Sequence, residues 1–193
     1  MNLLARQHWI FDLDGTLTVA VHDFEAIRAE LGLPPGRPIL EELDALPDAV
    51  AAPKRARLDA LELDLARAST PQPGAVAFVL GLRARGARLG VLTRNSRLNA
   101  EVTLAAIGLR DAFETEDLIG RDEAPPKPHP GGIARLLERW GAAPHEAVVA
   151  GDFRFDLEAG RAAGTATLHF DPDGRFPFAA LADRCCAGWA ELL

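Results

Sequence analysis

The sequence predicts an α/β fold built on a mostly parallel sheet, and three features predict it. Short apolar runs of strand length recur along the chain, helix-like segments fill the intervals, and glycines stand where those helices must stop. The runs are Trp9–Leu13, Arg88–Thr93, Ala147–Gly151, Thr165–Phe170 and Arg184–Ala187, with a shorter one at Ala112–Thr115. Continuous apolar runs, as opposed to alternating ones, mark strands covered on both faces.

The first run leads into Asp12-Leu13-Asp14-Gly15-Thr16. Extended backbone through Asp14 puts Asp12 and Asp14 on one face. A turn at Gly15 then leaves both at the C-terminal edge of the strand, where open α/β sheets hold their ligands. Two carboxylates that close are costly unless a cation, a proton or a reacting group fills the gap. The pair therefore reads as a site.

Residues 18–70 break the rhythm, because they contain no convincing strand. Helix-like stretches run over Phe24–Leu31, ended by Gly32, then over Pro38–Leu46 and Lys54–Ala68. Pro34-Pro35-Gly36 and Pro71-Gln72-Pro73-Gly74 punctuate them. A helical insertion closed by a Pro/Gly hinge would lie above the carboxylate edge, where a lid belongs. Beyond it, helices are predicted over Gly74–Arg85, Arg97–Ile107, Pro130–Trp140 and Asp156–Ala163, with stops at Gly86, Gly108, Gly141 and Gly164.

A chain of 193 residues can hold one full core and a small second unit. Its net charge of −7 argues against non-specific nucleic-acid binding, although a bound metal can still reverse the field for an anionic substrate. No long apolar segment suggests a signal peptide or a membrane span, so a cytoplasmic location is expected. Cys185 and Cys186 are neighbours and poorly placed to bridge each other; they read as small apolar residues of a late strand.

Three further clusters fall at strand ends or in the loops after them: Thr93-Arg94-Asn95-Ser96, Pro126-Lys127-Pro128-His129-Pro130 and Gly151-Asp152-Phe153-Arg154-Phe155-Asp156. With Asp12 and Asp14 they put four carboxylates, a lysine and a hydroxyl on one edge. That inventory suits phosphoryl transfer, which needs a nucleophile, a seat for a hard cation and donors for phosphate oxygens.

In these motifs the chain resembles the haloacid dehalogenase-like (HAD) hydrolase superfamily, with all four signatures in family order over essentially its whole length. Asp12-Leu13-Asp14-Gly15-Thr16 matches the first motif, Thr93 the second, Lys127 the third and Gly151 to Asp156 the fourth. The resemblance implies a Rossmann-like core, a mostly parallel sheet flanked by helices, over residues 1–17 and 71–193. A small all-helical cap, inserted after the first strand, would occupy 18–70, as in subfamily I enzymes of the phosphoglycolate phosphatase type.

The same resemblance assigns roles. Asp12 would be the nucleophile that forms an aspartyl-phosphate, and Asp14 the general acid and then base. Mg²⁺ would rest on Asp12, Asp152 and the backbone carbonyl of Asp14, with Asp156 as a further ligand or a support. Lys127 would neutralise charge between Asp12 and the phosphoryl group, while Thr93 and Asn95 would bind phosphate oxygens. Because superfamily dehalogenases generally lack the second Asp of the first motif, Asp14 points to phosphate chemistry. A small phosphomonoester substrate, hydrolysed by a monomer or homodimer, is the expectation. A sugar phosphomutase and a non-catalytic binding module on the same scaffold are the alternatives.

Within the insertion, His22 and Arg28 are the candidate specificity residues, with Lys54 and Arg57 behind them. Asp156 also reads as a cap for the helix that follows it. Members often carry Ser after the first Asp of the fourth motif, and this chain has Phe153-Arg154-Phe155 in that interval. The two phenylalanines read as packing residues.

Overall fold

The computed structural model describes residues 3–20 and 23–193. Six parallel strands form one sheet in the order β3-β2-β1-β4-β5-β6: β1 (His8–Phe11), β2 (Arg88–Leu92), β3 (Leu118–Ile119), β4 (Ala147–Gly151), β5 (Ala166–Phe170) and β6 (Arg184–Cys186). Alternation along β1 divides the core between the two faces of the sheet. Trp9 and Phe11 face Phe78, Val91, Val148 and Trp189 on one side. Ile10 faces Leu92, Ile133, Leu136 and Val149 on the other.

Four helices cover the sheet: α4 (Ala75–Ala84), α5 (Arg97–Ala106), α6 (Gly131–Trp140) and α7 (Arg154–Ala162). Gly86, Gly108, Gly141 and Gly164 follow these helices with φ between 63° and 80°, the left-handed geometry that releases a chain from a helix. Between β1 and α4 lies the helical insertion, α1 (Phe24–Leu31), α2 (Ile39–Asp44) and α3 (Asp48–Arg67). Asp23 caps α1 by accepting the Ala26 N–H at 2.9 Å. The insertion has its own small core of Ile27, Leu31, Leu43 and Leu58. Its two ends leave side by side, because Val19 N–H donates to the Thr70 carbonyl at 3.0 Å and Gln72 N–H to the Leu17 carbonyl at 2.9 Å.

Three elements differ from the sequence reading. The short strand expected at Ala112–Thr115 is instead a turn, with a 3₁₀ segment over Arg110–Ala112. The Arg110 guanidinium donates to the Phe113 carbonyl and the Thr115 hydroxyl there, and Phe113 is buried. The strand beside β2 is Leu118–Ile119, paired with Val91 and Leu92, and two residues are too few to show a periodicity. Helix α3 starts at Asp48, well before Lys54. Pro53 sits inside it and forfeits only the bond its N–H would have made to the Ala49 carbonyl. Helix α7 starts at Arg154 because the Asp156 carboxylate accepts the Phe153 N–H at 3.0 Å and closes the first turn two residues early. Asp156 is thus a cap from inside the helix.

Among the described residues, no helix is long and apolar enough to cross a membrane. Cys185 and Cys186 are free thiols at the end of β6.

Candidate active site

Pairing to β4 holds β1 up to Asp12, whose N–H donates to the Ala150 carbonyl at 2.9 Å. The chain then turns back on itself, with the Leu13 carbonyl accepting from the N–H groups of Leu17 and Thr18 at 2.9 and 3.0 Å. Gly15 makes this possible at φ +85°, and a Cβ there would meet Asp152 Oδ2 at 2.4 Å. Two distant side chains fix the carbonyls of the turn. Gln72, in the hinge, donates to Gly15 O at 3.3 Å, and the buried indole of Trp189 donates to Thr16 O at 3.0 Å.

Strand order does the rest. With β2 and β4 flanking β1, the loops carrying Thr93 and Asp152 stand on either side of Asp12. Lys127 donates to Asp12 Oδ1, to Asp156 Oδ1 at 2.6 Å and to the Leu92 carbonyl at 2.8 Å. The Thr16 hydroxyl lies 3.3 Å from Asp12 Oδ2 and 3.1 Å from Asp152 Oδ1, between the two carboxylates. Asn95 Nδ2 donates to Asp14 Oδ2 at 2.6 Å, and the Thr93 hydroxyl oxygen accepts the Asn95 N–H at 3.1 Å. All the residues read from the four motifs are therefore at one edge of the sheet.

Asp12, Asp152 and Asp156 offer carboxylate oxygens within 4.8 Å of one another, a hard-oxygen set that suits a divalent cation. The Asp14 side chain is turned to Asn95, which leaves its backbone carbonyl as the group to be tested as a ligand. Electrostatics agree with a cation. Burial pushes the Asp152 carboxyl up to about 8, and the charges of Asp12 and Asp156 add to it. Burial also raises Asp156, to about 6, against the opposing pull of Lys127. Burial alone would lower the Lys127 ammonium, but Asp12 and Asp156 outweigh it and hold that group well above the usual lysine range. Lys127 pairs with two of the three carboxylates, Asp12 and Asp156, and the surplus negative charge is what a bound cation would neutralise.

The insertion candidates are less tightly placed. Arg28 is half-buried on α1 and pairs with Glu25 at 3.1 Å. His22 lies outside the described residues. Lys54 donates to the Leu31 carbonyl and Arg57 pairs with Glu30, so both serve the insertion itself. A cavity of about 470 Å³ lies between the insertion and α5, lined among others by Leu40, Leu58, Leu98 and Arg121. None of the motif carboxylates lines it, so cavity size does not mark the chemistry. Sequence reading passed over Thr16 as a link between carboxylates, although it stands in the first motif. It passed over Gln72 and Trp189 because nothing local to them signals contact with residue 15 or 16.

The chain belongs to the haloacid dehalogenase-like hydrolases: the model for "Hydrolase: haloacid dehalogenase-like hydrolase" matches residues 36–164. A haloacid dehalogenase-like hydrolase domain-containing protein of Arabidopsis thaliana is 28% identical over 189 residues, which cover 86% of this chain and 71% of that protein. A phosphoglycolate phosphatase of Rhodospirillum rubrum is 36% identical over 97 residues, half of this chain (50%) and 39% of that enzyme. The fold superposes on a hydrolase from Pseudomonas syringae with a TM-score of 0.79 at 23% identity, covering 97% of this chain and 95% of the other.

Proposed function

We propose that the protein is a Mg²⁺-dependent phosphatase that hydrolyses a small phosphomonoester through a phosphoryl group carried on Asp12. One observation carries the reading. Asp12 is held from both sides, by Lys127 on one oxygen and Thr16 at the other, inside a cluster with Asp152 and Asp156, while Asn95 holds Asp14 beside it.

The chemistry proceeds in two displacements. A carboxylate oxygen of Asp12 attacks phosphorus, the P–O bond to the alcohol breaks, and Asp14 gives its proton to the departing oxygen. Asp14 then takes a proton from water, whose oxygen attacks phosphorus and frees both phosphate and the Asp12 carboxylate. Lys127 orients Asp12 and offsets negative charge beside it, and the Thr93 hydroxyl and the second N–H of the Asn95 amide donate to phosphoryl oxygens. The side chains of Asp12, Asp152 and Asp156 and the Asp14 carbonyl would hold Mg²⁺. When bound, the ion offsets the negative charge that phosphate brings to this carboxylate-rich edge.

In this reading residues 1–17 and 71–193 form the catalytic core, and 18–70 a cap whose residues, His22 and Arg28 among them, select the alcohol. The names of relatives support a small substrate of the phosphoglycolate kind. The test is phosphate release from 4-nitrophenyl phosphate with Mg²⁺ and with EDTA, for wild type and Asp12→Asn. Turnover that requires Mg²⁺ and falls at least about 10⁴-fold in the variant is the expected outcome. Wild-type turnover in Asp12→Asn would overturn the mechanism, and interconversion of sugar phosphate isomers without phosphate release would make the protein a mutase.

A further inference from the structure

The phosphatase reading accounts for Thr93 and Asn95 but leaves the residue between them without a role. Arg94 leaves the loop on the β2 side of Asp12, and its guanidinium carbon lies 5.9 Å from the ring centre of Phe155, in the first turn of α7 after β4. Because β1 lies between β2 and β4, the side chain spans the sheet edge at which β1 ends. From the insertion, Glu41 on α2 reaches down to accept from Arg94 at 2.6 Å. Arg154 places a second guanidinium 5.0 Å from the same Phe155 ring. In a chain of net charge −7, two cations thus frame the approach to the carboxylate cluster.

The Arg94–Glu41 pair is a poor structural device. Its side chains are 30% and 52% exposed, and ion pairs that open to water add little to stability. Arg121 offers the contrast at the same junction. Its side chain is only 15% exposed and is held by both Asp59 and Glu62 of α3, so it serves as an anchor. Among the described residues, Arg94 has one carboxylate partner, Glu41, and it is exchangeable. A planar guanidinium fork accepts a carboxylate or a phosphate in its place with two parallel hydrogen bonds.

We infer that Arg94 is a specificity-determining residue whose guanidinium exchanges Glu41 for a second anionic group, a carboxylate or a further phosphate, on the substrate's alcohol. This rests on the phosphatase reading above. Glu41 acts as a placeholder, which keeps the fork oriented over that edge and competes with substrates that lack the second charge. Phosphomonoesters of neutral alcohols bind without Arg94 and lose the selectivity it provides.

The experiment compares kcat/KM for 2-phosphoglycolate and for ethanediol bisphosphate with that for ethyl phosphate, in wild type, Arg94→Gln and Glu41→Gln. In Arg94→Gln the anionic-to-neutral ratio falls at least about tenfold, mainly through KM; in Glu41→Gln it rises a few-fold as the competitor is removed. The ester whose ratio falls further tells a carboxylate from a phosphate. Ratios within about twofold of wild type in Arg94→Gln overturn the inference. A second measurement is independent of turnover: calorimetric affinity for phosphonoacetate against ethylphosphonate, in the presence of Mg²⁺. If no ester is hydrolysed the phosphatase reading fails, while discrimination lost in Arg94→Gln still supports the role of Arg94, and equal discrimination in both proteins overturns it.

Discussion

The sheet and the helical insertion are built on different terms. The sheet is closed on both faces, with Trp9, Ile10 and Phe11 of β1 fully buried among aromatic and aliphatic partners. The insertion has four well-buried apolar residues in its own cluster, and α3 packs along α5 beside polar links: Arg94 with Glu41, Arg121 with Asp59 and Glu62, and Asn99 with Glu62. A deep apolar core fixes positions to fractions of an ångström, which the chemistry proposed at Asp12 needs. A small core with polar contacts leaves sliding and opening inexpensive, which suits substrate entry and choice.

The comparison can be broken most forcefully at Gly15. Alanine there is strained at φ +85° and drives a methyl into the Asp152 carboxylate. Gly15→Ala should lower kcat at least about 100-fold, as displacement of a reacting group by about 1 Å does, while circular dichroism stays native. Unchanged kcat would show that the turn is not held to this precision.

Core truncations come next. Phe78→Ala removes a ring packed at 5.3 Å on Trp9 and 4.9 Å on Trp189. It should cost about 3–5 kcal/mol in urea unfolding, and Leu58→Ala in the insertion about 2–3 kcal/mol. Hydrogen exchange should show the Leu58 loss confined to α1–α3. A global loss from Leu58→Ala as large as that from Phe78→Ala would erase the distinction between the two regions.

A pH effect follows from the crowded carboxylates. Asp152 titrates near 8 in the folded chain, well above a free carboxylate at about 3.9. The folded state therefore holds more protons than the unfolded state between those values, and stability falls as pH rises through this window. Asp156 adds a contribution of the same sign up to about 6. Without metal, the urea midpoint should drop from pH 5 to pH 8; Mg²⁺ should flatten the curve by replacing the protons. A midpoint that rises over that range, or one indifferent to Mg²⁺, would argue against a cation site. The smallest effect is expected at the junction. Arg94→Met removes a pair that opens to water and should cost no more than about 1 kcal/mol in urea unfolding.

Much of this was legible before the structure. Each helix stop at a glycine and five of the six strands stand within a residue or two of where the apolar runs put them; β1 ends at Phe11, two residues short, because the chain turns for Gly15. The misses have local causes. β3 is two residues long, Pro53 could be tolerated inside α3, and Asp156 closes a turn from within α7. In the site, Asp12, Asp14, Thr93, Lys127, Asp152 and Asp156 were readable because motif spacing around strand ends is a one-dimensional property. Thr16, Gln72 and Trp189 as clamps on the turn, and Arg94 across the sheet edge, were not.

The sequence by itself determined the parallel sheet, the place of the insertion and the residue types at the strand ends, since these follow from periodicity, glycine geometry and charge. Tertiary structure decided the rest. Strand order brings segments far apart in the chain to either side of Asp12, so one lysine meets two carboxylates and one arginine reaches from the β2 loop to the first turn of α7. Those contacts depend on distances between segments that fold together only when both faces of the sheet are buried, and no local pattern encodes them.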